Sequence, residues 1–188
     1  MQNRRTVLKS ALGLGLTVRG LNVLHAQEDD PRRVRPREGD RFVFAFGPRQ
    51  GETIRVDDVP MVSEQVISYA MDSASGAVRD GSRLNQVLLL RFDPDSLAPE
   101  TRAASVDGVV AYSGICPHTG CDIEDWSEET EFLVCSCHDS EFDPRDGAEV
   151  ISGPAPRRLP SLPLRAEEDG VLVAAGGFSA TIRFEREF

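Results

Sequence analysis

Six residues able to bind a soft metal crowd into one short stretch of this chain. Cys116-Pro117-His118-Thr119-Gly120-Cys121 is followed by Cys135-Ser136-Cys137-His138-Asp139-Ser140-Glu141-Phe142. The two boxes hold all four cysteines and two of the three histidines; the third, His25, lies in the N-terminal segment. Cys116-x-His118 and Cys135-x-x-His138 each offer one thiolate and one imidazole. Sixteen residues separate His118 from Cys135, so a hairpin can bring the pairs face to face. Three kinds of chemistry compete for this donor set. A c-type haem needs Cys-x-x-Cys-His, and Cys135-Ser136-Cys137-His138 is one residue too short. A Cys₂His₂ structural zinc site uses the four ligands but gives Cys121 and Cys137 no role. A 2Fe–2S cluster with two Cys on one iron and two His on the other also uses them. It accounts for the spare cysteines too, since a disulfide there would tie the loops that hold the cluster.

Short strands must position these boxes. Arg41 to Phe46 reads as a strand closed by Gly47-Pro48. Thr53 to Val56 predicts a second short strand and Val66 to Met71 a third. Asp72 to Arg83, rich in Ser, Gly and Asp, reads as a long loop. Gln86 to Phe92 is an apolar run closed by Asp93-Pro94, the pattern of a buried strand. Asp107-Gly108 turns the chain into Val109 to Ser113, which runs into the first box. An acidic hairpin region and then Phe132-Leu133-Val134 lead into the second. Further strands are expected at Glu149 to Ile151, Leu162 to Leu164, Val171 to Ala174 and Thr181 to Phe184. Their spacing predicts an all-β sandwich or barrel. The sequence shows no internal repeat and no Gly-rich phosphate loop leading into a helix. A Ser–His–Asp hydrolase has no histidine to spare, because both boxes use theirs.

The 188 residues suffice for one domain with a hydrophobic core, and 40% apolar with 28% charged residues fits a soluble globular protein. The net charge is −10. The first 27 residues hold Arg4, Arg5, Lys9 and Arg19 and no acid, which leaves 17 basic against 31 acidic residues, or −14, in the remainder. Such a balance argues against nucleic acid, which needs a basic footprint. It suits a basic partner protein and plain solubility equally. Asn3-Arg4-Arg5-Thr6-Val7-Leu8-Lys9 resembles the start of a twin-arginine export signal. The apolar runs after it, Ala11 to Val18 and Leu21 to Leu24, are broken by Arg19 and fall short of the roughly 20 apolar residues of a membrane span. Residues 1–27 are therefore expected to be an export signal or an N-terminal membrane anchor. Residues 28–40, dense in charge with Pro31 and Pro36, are expected to be a solvated linker, and 41–188 the folded domain. The expected location is the periplasm or the periplasmic face of the inner membrane. The twin-arginine route carries folded, cofactor-loaded proteins to an oxidising compartment, where a disulfide persists.

The two boxes resemble those of the Rieske iron–sulfur proteins, whose first box runs Cys-x-His-x-Gly-Cys and whose second runs Cys-x-Cys-His-x-Ser. This chain matches both. The resemblance implies a Rieske-type antiparallel β fold with a cluster-binding part, about residues 109–158, built on two loops. It implies one 2Fe–2S cluster, with Cys116 and Cys135 on one iron and His118 and His138 on the other, and a Cys121–Cys137 disulfide. Ser140 falls where family members place a hydroxyl that hydrogen-bonds a cluster sulfur. Gly153-Pro154-Ala155-Pro156 matches the family's proline loop, which covers the cluster from a third side. Thr119 stands where many quinol-oxidising members carry leucine. Phe142 stands where they carry a tyrosine that donates to a cysteine ligand sulfur. Phe142 has no donor, so the resemblance implies a potential below that of typical quinol-oxidising members.

Four cysteines and an export signal resemble the respiratory branch of the family: cytochrome bc complex subunits and the small subunit of arsenite oxidase. The function expected is electron transfer, as a redox subunit of an oxidoreductase rather than a complete enzyme. Partners would be a larger redox subunit (a molybdenum enzyme or cytochrome b) and a c-type cytochrome. Thr119 and the weakly apolar N-terminus favour a periplasmic oxidoreductase resembling arsenite oxidase over a quinol–cytochrome c reductase. A zinc-stabilised binding module is the alternative from another class. Asp122, Glu124, Asp125, Glu128, Glu129 and Glu131 are expected to form a solvated hairpin, or a patch near the cluster that steers a basic cytochrome. Trp126 is expected to pack, Tyr112 and Phe132 to lie in the core, and Arg157 and Arg158 to be exposed or to meet a partner.

Overall fold

A computed structural model describes residues 30–185. The segment read as an export signal, with His25, lies outside the described residues. The described residues form ten strands: β1 (Arg41–Phe44), β2 (Val66–Met71), β3 (Gln86–Arg91), β4 (Val109–Ser113), β5 (Asp125–Ser127), β6 (Phe132–Cys135), β7 (Ser140–Asp143), β8 (Glu149–Ser152), β9 (Leu164–Ala166) and β10 (Leu172–Ala174). Among the described residues one short α-helix, α1 (Pro99–Ala103), follows the Asp93-Pro94 turn. The protein is nearly all-β, as expected.

Six strands form an antiparallel sheet in the order β4-β3-β2-β1-β10-β9. It curls until its two edges meet. The Ser113 N–H donates to the Pro160 carbonyl and the Leu162 N–H to the Ala111 carbonyl, both at 2.9 Å. Near-closure into a barrel leaves little sheet edge unpaired. The other four strands form a second antiparallel sheet, β5-β6-β7-β8.

β4 is buried along its whole length, and β3 from Gln86 to Leu90, because each face meets a different core. Val87, Leu89, Val109 and Ala111 point into the barrel with Phe42, Ile54 and Leu172. Leu88, Leu90, Val110 and Tyr112 point the other way, into a core shared with Cys116, Ile123, Leu133, Cys135 and Phe142. A strand's period of two sorts the residues between the faces. Fully burying each Leu or Val contributes about 1.5–3 kcal/mol. The uninterrupted apolar run Val87 to Leu90 is thus the wall between the barrel and the metal-binding boxes.

Four stretches differ from the sequence expectation. Thr53 to Val56 is two isolated bridges, Thr53 with Val43 and Arg55 with Val171, rather than a strand. Ile54 donates to Phe42 and accepts from Leu172, and the chain then turns tightly at Val56–Asp58, where the Asp58 carboxylate accepts from the Arg55 N–H. Ser140–Asp143, which begins inside the second box, is a strand. Thr181 to Phe184 joins no sheet and crosses to the first box instead. Finally, the segment expected to be a solvated linker is docked on the body over its described part, 30–40. Asn85, fully buried, donates to the carbonyls of Val34 and Arg79 at 2.9 Å and accepts from Arg35 at 2.8 Å. Arg79, only 1% exposed, forms a two-point pair with Asp40 and reaches Asp72. A guanidinium is buried this deeply only when paired.

Candidate metal centre

The first box is a tight hairpin at the end of β4. Ile115 bridges Asp122, the Cys116 N–H donates to the Cys121 carbonyl at 2.8 Å, and the Gly120 N–H returns to the Cys116 carbonyl at 3.0 Å. Gly120 has a φ of +82°, a conformation that strains any residue with a Cβ. Arg83 clamps the far side, donating to the Gly120 carbonyl at 2.6 Å and to Asp122 at 2.8 Å. The hairpin buries Cys116 and leaves His118 half-exposed.

The second box is the turn between β6 and β7, where Cys135 pairs with Ser140. The Asp139 N–H donates to the Cys135 carbonyl at 2.9 Å, and Asp139 takes a φ of +55°. Cys135 is buried at the strand end, while Cys137 and His138 sit on the exposed turn. Cys121 and Cys137 form a disulfide that joins the two boxes, with Cα atoms 6.6 Å apart.

Gly153 to Pro156 closes on the second box from a third direction. A Cβ on Gly153, at φ +85°, would lie 2.5 Å from the Ser140 Cα and 2.7 Å from the Asp139 carbonyl oxygen. The Ala155 N–H donates to the Ser140 Oγ at 3.1 Å. Ser140 is 1% exposed, so its oxygen is the buried anchor of this loop. The hydroxyl also lies close enough to Cys116 to favour its thiolate. Phe142 is fully buried in the same core as Cys116 and Cys135.

The donors fall into two pairs. The Nδ1 atoms of His118 and His138 face each other at 3.2 Å, with the rings edge-on at 83°. One metal ion at about 2.0–2.1 Å from each nitrogen spans that gap. Cys116 and Cys135 are both buried free thiols lying against each other. Burial pushes the Cys116 thiol up to about 12, and the Cys135 sulfur adds to the rise. Two adjacent buried thiols shed their protons readily only to a cation. Among the described residues, the one group of three such donors within 4.8 Å of one another is Cys121, Cys135 and Cys137, of which two are the disulfide. Thus no three of Cys116, His118, Cys135 and His138 converge. A single tetrahedral zinc needs all four donors within about 2.0–2.3 Å of one ion. A sulfur pair separate from a nitrogen pair fits a two-iron cluster instead.

Other residues fall differently from expectation. β5 and β6 pair Asp125 with Val134 and Ser127 with Phe132, so the turn holding Glu128, Glu129 and Glu131 lies at the end of the hairpin away from Cys135. Glu128, Glu129 and Glu131 therefore lie away from the donors, with Glu131 paired with Arg145, while Asp122 stays beside the first box, paired with Arg83. Trp126 packs, its ring centroid 6.3 Å from that of Phe92. Tyr112 is buried, with its hydroxyl donating to the Pro144 carbonyl at 2.7 Å; Phe132 is half-buried. Arg158 pairs with Glu149, and Arg157 donates to the Arg183 carbonyl. Arg83 and the segment Arg183 to Glu185, both touching the first box, escape a sequence reading because their partners are remote in the chain.

Residues 76–163 match the family model for the Rieske [2Fe-2S] domain. These residues are therefore a Rieske [2Fe-2S] domain, and the domain binds a 2Fe–2S cluster. A cytochrome bc1 complex Rieske iron–sulfur subunit of Streptomyces lividans is 40% identical over 97 residues, 51% of this chain and 57% of the relative. A Haloferax mediterranei protein described as the Rieske subunit of a respiratory nitrate reductase is 39% identical over 105 residues, 55% of this chain and 47% of its own length. The chain thus spans about half the length of these curated relatives. Among solved structures, the soluble domain of Rieske protein II from Sulfolobus acidocaldarius aligns at 25% identity and a TM-score of 0.38, over 52% of this chain and 66% of that one.

Proposed function

We propose that Cys116 and Cys135 hold one iron of the cluster and His118 and His138 the other. The observation that carries this assignment is the segregation of the donors into a buried thiol pair and a more exposed imidazole pair with Nδ1 atoms 3.2 Å apart. When bound, a cluster of this ligation supplies a one-electron carrier in the range of roughly −150 to +300 mV. The protein's own residues do the rest. Cys116 and Cys135 anchor the buried side, and Ser140 fixes the proline loop against it. The disulfide keeps the two boxes together, and His138 presents an exposed ring edge to an electron-transfer partner. Iron, acid-labile sulfide and the visible spectrum of the purified protein test the assignment; a colourless, zinc-loaded protein overturns it.

The chain is proposed to work as a redox subunit of a larger respiratory complex. Two settings have specific support. The Streptomyces relative supports a cytochrome bc complex, with cytochrome b as neighbour and a c-type cytochrome as acceptor. The Haloferax relative supports a Rieske subunit outside that complex, as does the phenylalanine at position 142. The second setting includes the molybdenum-containing periplasmic oxidoreductases. Co-purification from the native host separates the two: cytochrome b in one case, a molybdenum subunit in the other. Export by the twin-arginine route to the periplasmic side is supported by Arg4-Arg5 and by a disulfide that an oxidising compartment preserves. Fractionation of a tagged chain, with and without an Arg4→Lys/Arg5→Lys change, tests it.

A further inference from the structure

We propose that the segment Arg183 to Glu185 is a strap that positions the first box and, through Phe184, sets the reduction potential. The inference rests on His118 being a cluster ligand. Three contacts define the strap. The Glu185 N–H donates to the His118 carbonyl at 2.7 Å. The Phe184 ring lies on Gly120, so closely that a Cβ there would sit 2.7 Å from the ring. The Arg183 carbonyl accepts from Arg157, one residue past the proline loop, at 3.4 Å. The strap therefore spans from the loop that covers the second box to the loop that carries His118.

The physical consequence concerns water. Gly120 is buried under the Phe184 ring, and Gly120 lies two residues from His118. Reduction adds a negative charge, and a phenyl ring stabilises that charge less well than water does. Solvent access and the apolar shell are among the factors that set a cluster's potential. Phe184 thus holds the potential down, while the strap as a whole slows cluster release by fixing the hairpin. Arg83 holds the opposite side of the hairpin, so the strap acts on a loop that has a second, independent brace. Phe184 is a positioning residue, since it acts through Gly120 and His118.

The test uses the full-length, cluster-loaded chain and compares wild type with F184A, F184Q and F184L. The readouts are the midpoint potential by redox titration, the EPR signal of the reduced protein, and the half-life of the cluster in chelator. F184A and F184Q are expected to raise the potential and shorten the half-life several-fold. F184L, which keeps an apolar cover, is expected to restore both. A wild-type potential in F184A and F184Q overturns the proposal even if their half-lives fall, because a merely structural role shortens the half-life alone. Failure of the ligand assignment is distinguishable: the wild-type protein would then lack a Rieske-type EPR signal before any variant is compared.

Discussion

Replacing Ser140 with alanine separates two jobs that one buried oxygen performs. The Oγ accepts the Ala155 N–H at 3.1 Å, and the side chain is 1% exposed. Alanine leaves that N–H without a partner under the proline loop, at a cost of about 1–3 kcal/mol. The hydroxyl also favours the Cys116 thiolate, and by the same polarity the more negative charge of the reduced centre. If the donor is worth about 1 kcal/mol more in the reduced state than in the oxidised one, its loss lowers the potential by about 40 mV, since 59 mV corresponds to a tenfold change for one electron. Redox titration of S140A against wild type and S140T measures this directly. S140T keeps a hydroxyl and should stay near wild type, while the urea midpoint of S140A should fall. An unchanged or raised potential in S140A would refute the argument that Ser140 donates to the sulfur side of the site.

Phe142→Tyr tests the neighbouring position: a hydroxyl added in the core shared with Cys116 and Cys135 should raise the potential by tens of millivolts, on the order of 40 mV per kcal/mol of added hydrogen bonding. A redox titration showing no rise would mean that the hydroxyl does not reach a cysteine sulfur. Opening the disulfide with C121S/C137S should lower stability to urea by about 3 kcal/mol, the value for a closed loop of about 15 residues; the sequence separation here is 16. Acid should destabilise the fold through its ion pairs. Arg49 holds the Asp58 carboxylate below its usual range and Arg32 does so for Asp80; at Asp72 the Ser75 N–H leads and Arg37 adds to it. Groups lowered on folding contribute stability that is fully present above the usual carboxylate value of about 4 and is lost as pH falls through the depressed one. Thermal midpoints should therefore drop below about pH 4, and less steeply at high salt.

The site was more legible in the sequence than the scaffold that braces it. Cys116, His118, Cys135 and His138 stand at fixed local spacings, so the donor set can be read without a fold. β3 and β4 are legible because their apolar runs are continuous and closed by turn residues. Thr53 to Val56 has the composition of a strand, yet its backbone bonds go singly to β1 and β10 before the chain turns at Asp58. β7 went unread because its residues, Ser140 to Asp143, show a strand pattern only once the second box is understood as a turn. The docking of residues 30–40 depends on Asn85 and Arg79, which lie 39 to 51 positions away in the chain. Local charge density suggests solvent there, and only the three-dimensional partners show otherwise. The same holds for Phe184, whose partner Gly120 no local pattern indicates.

The measurement that bears most directly on the account is pulsed EPR of the reduced, isotopically labelled holoprotein, with H118A and H138A as controls. A two-iron centre with nitrogen couplings from two histidines through Nδ1 is expected, one coupling disappearing with each variant in whatever cluster is retained. A centre without histidine nitrogen couplings, or a chain that binds a single zinc and shows no EPR signal on reduction, would contradict it.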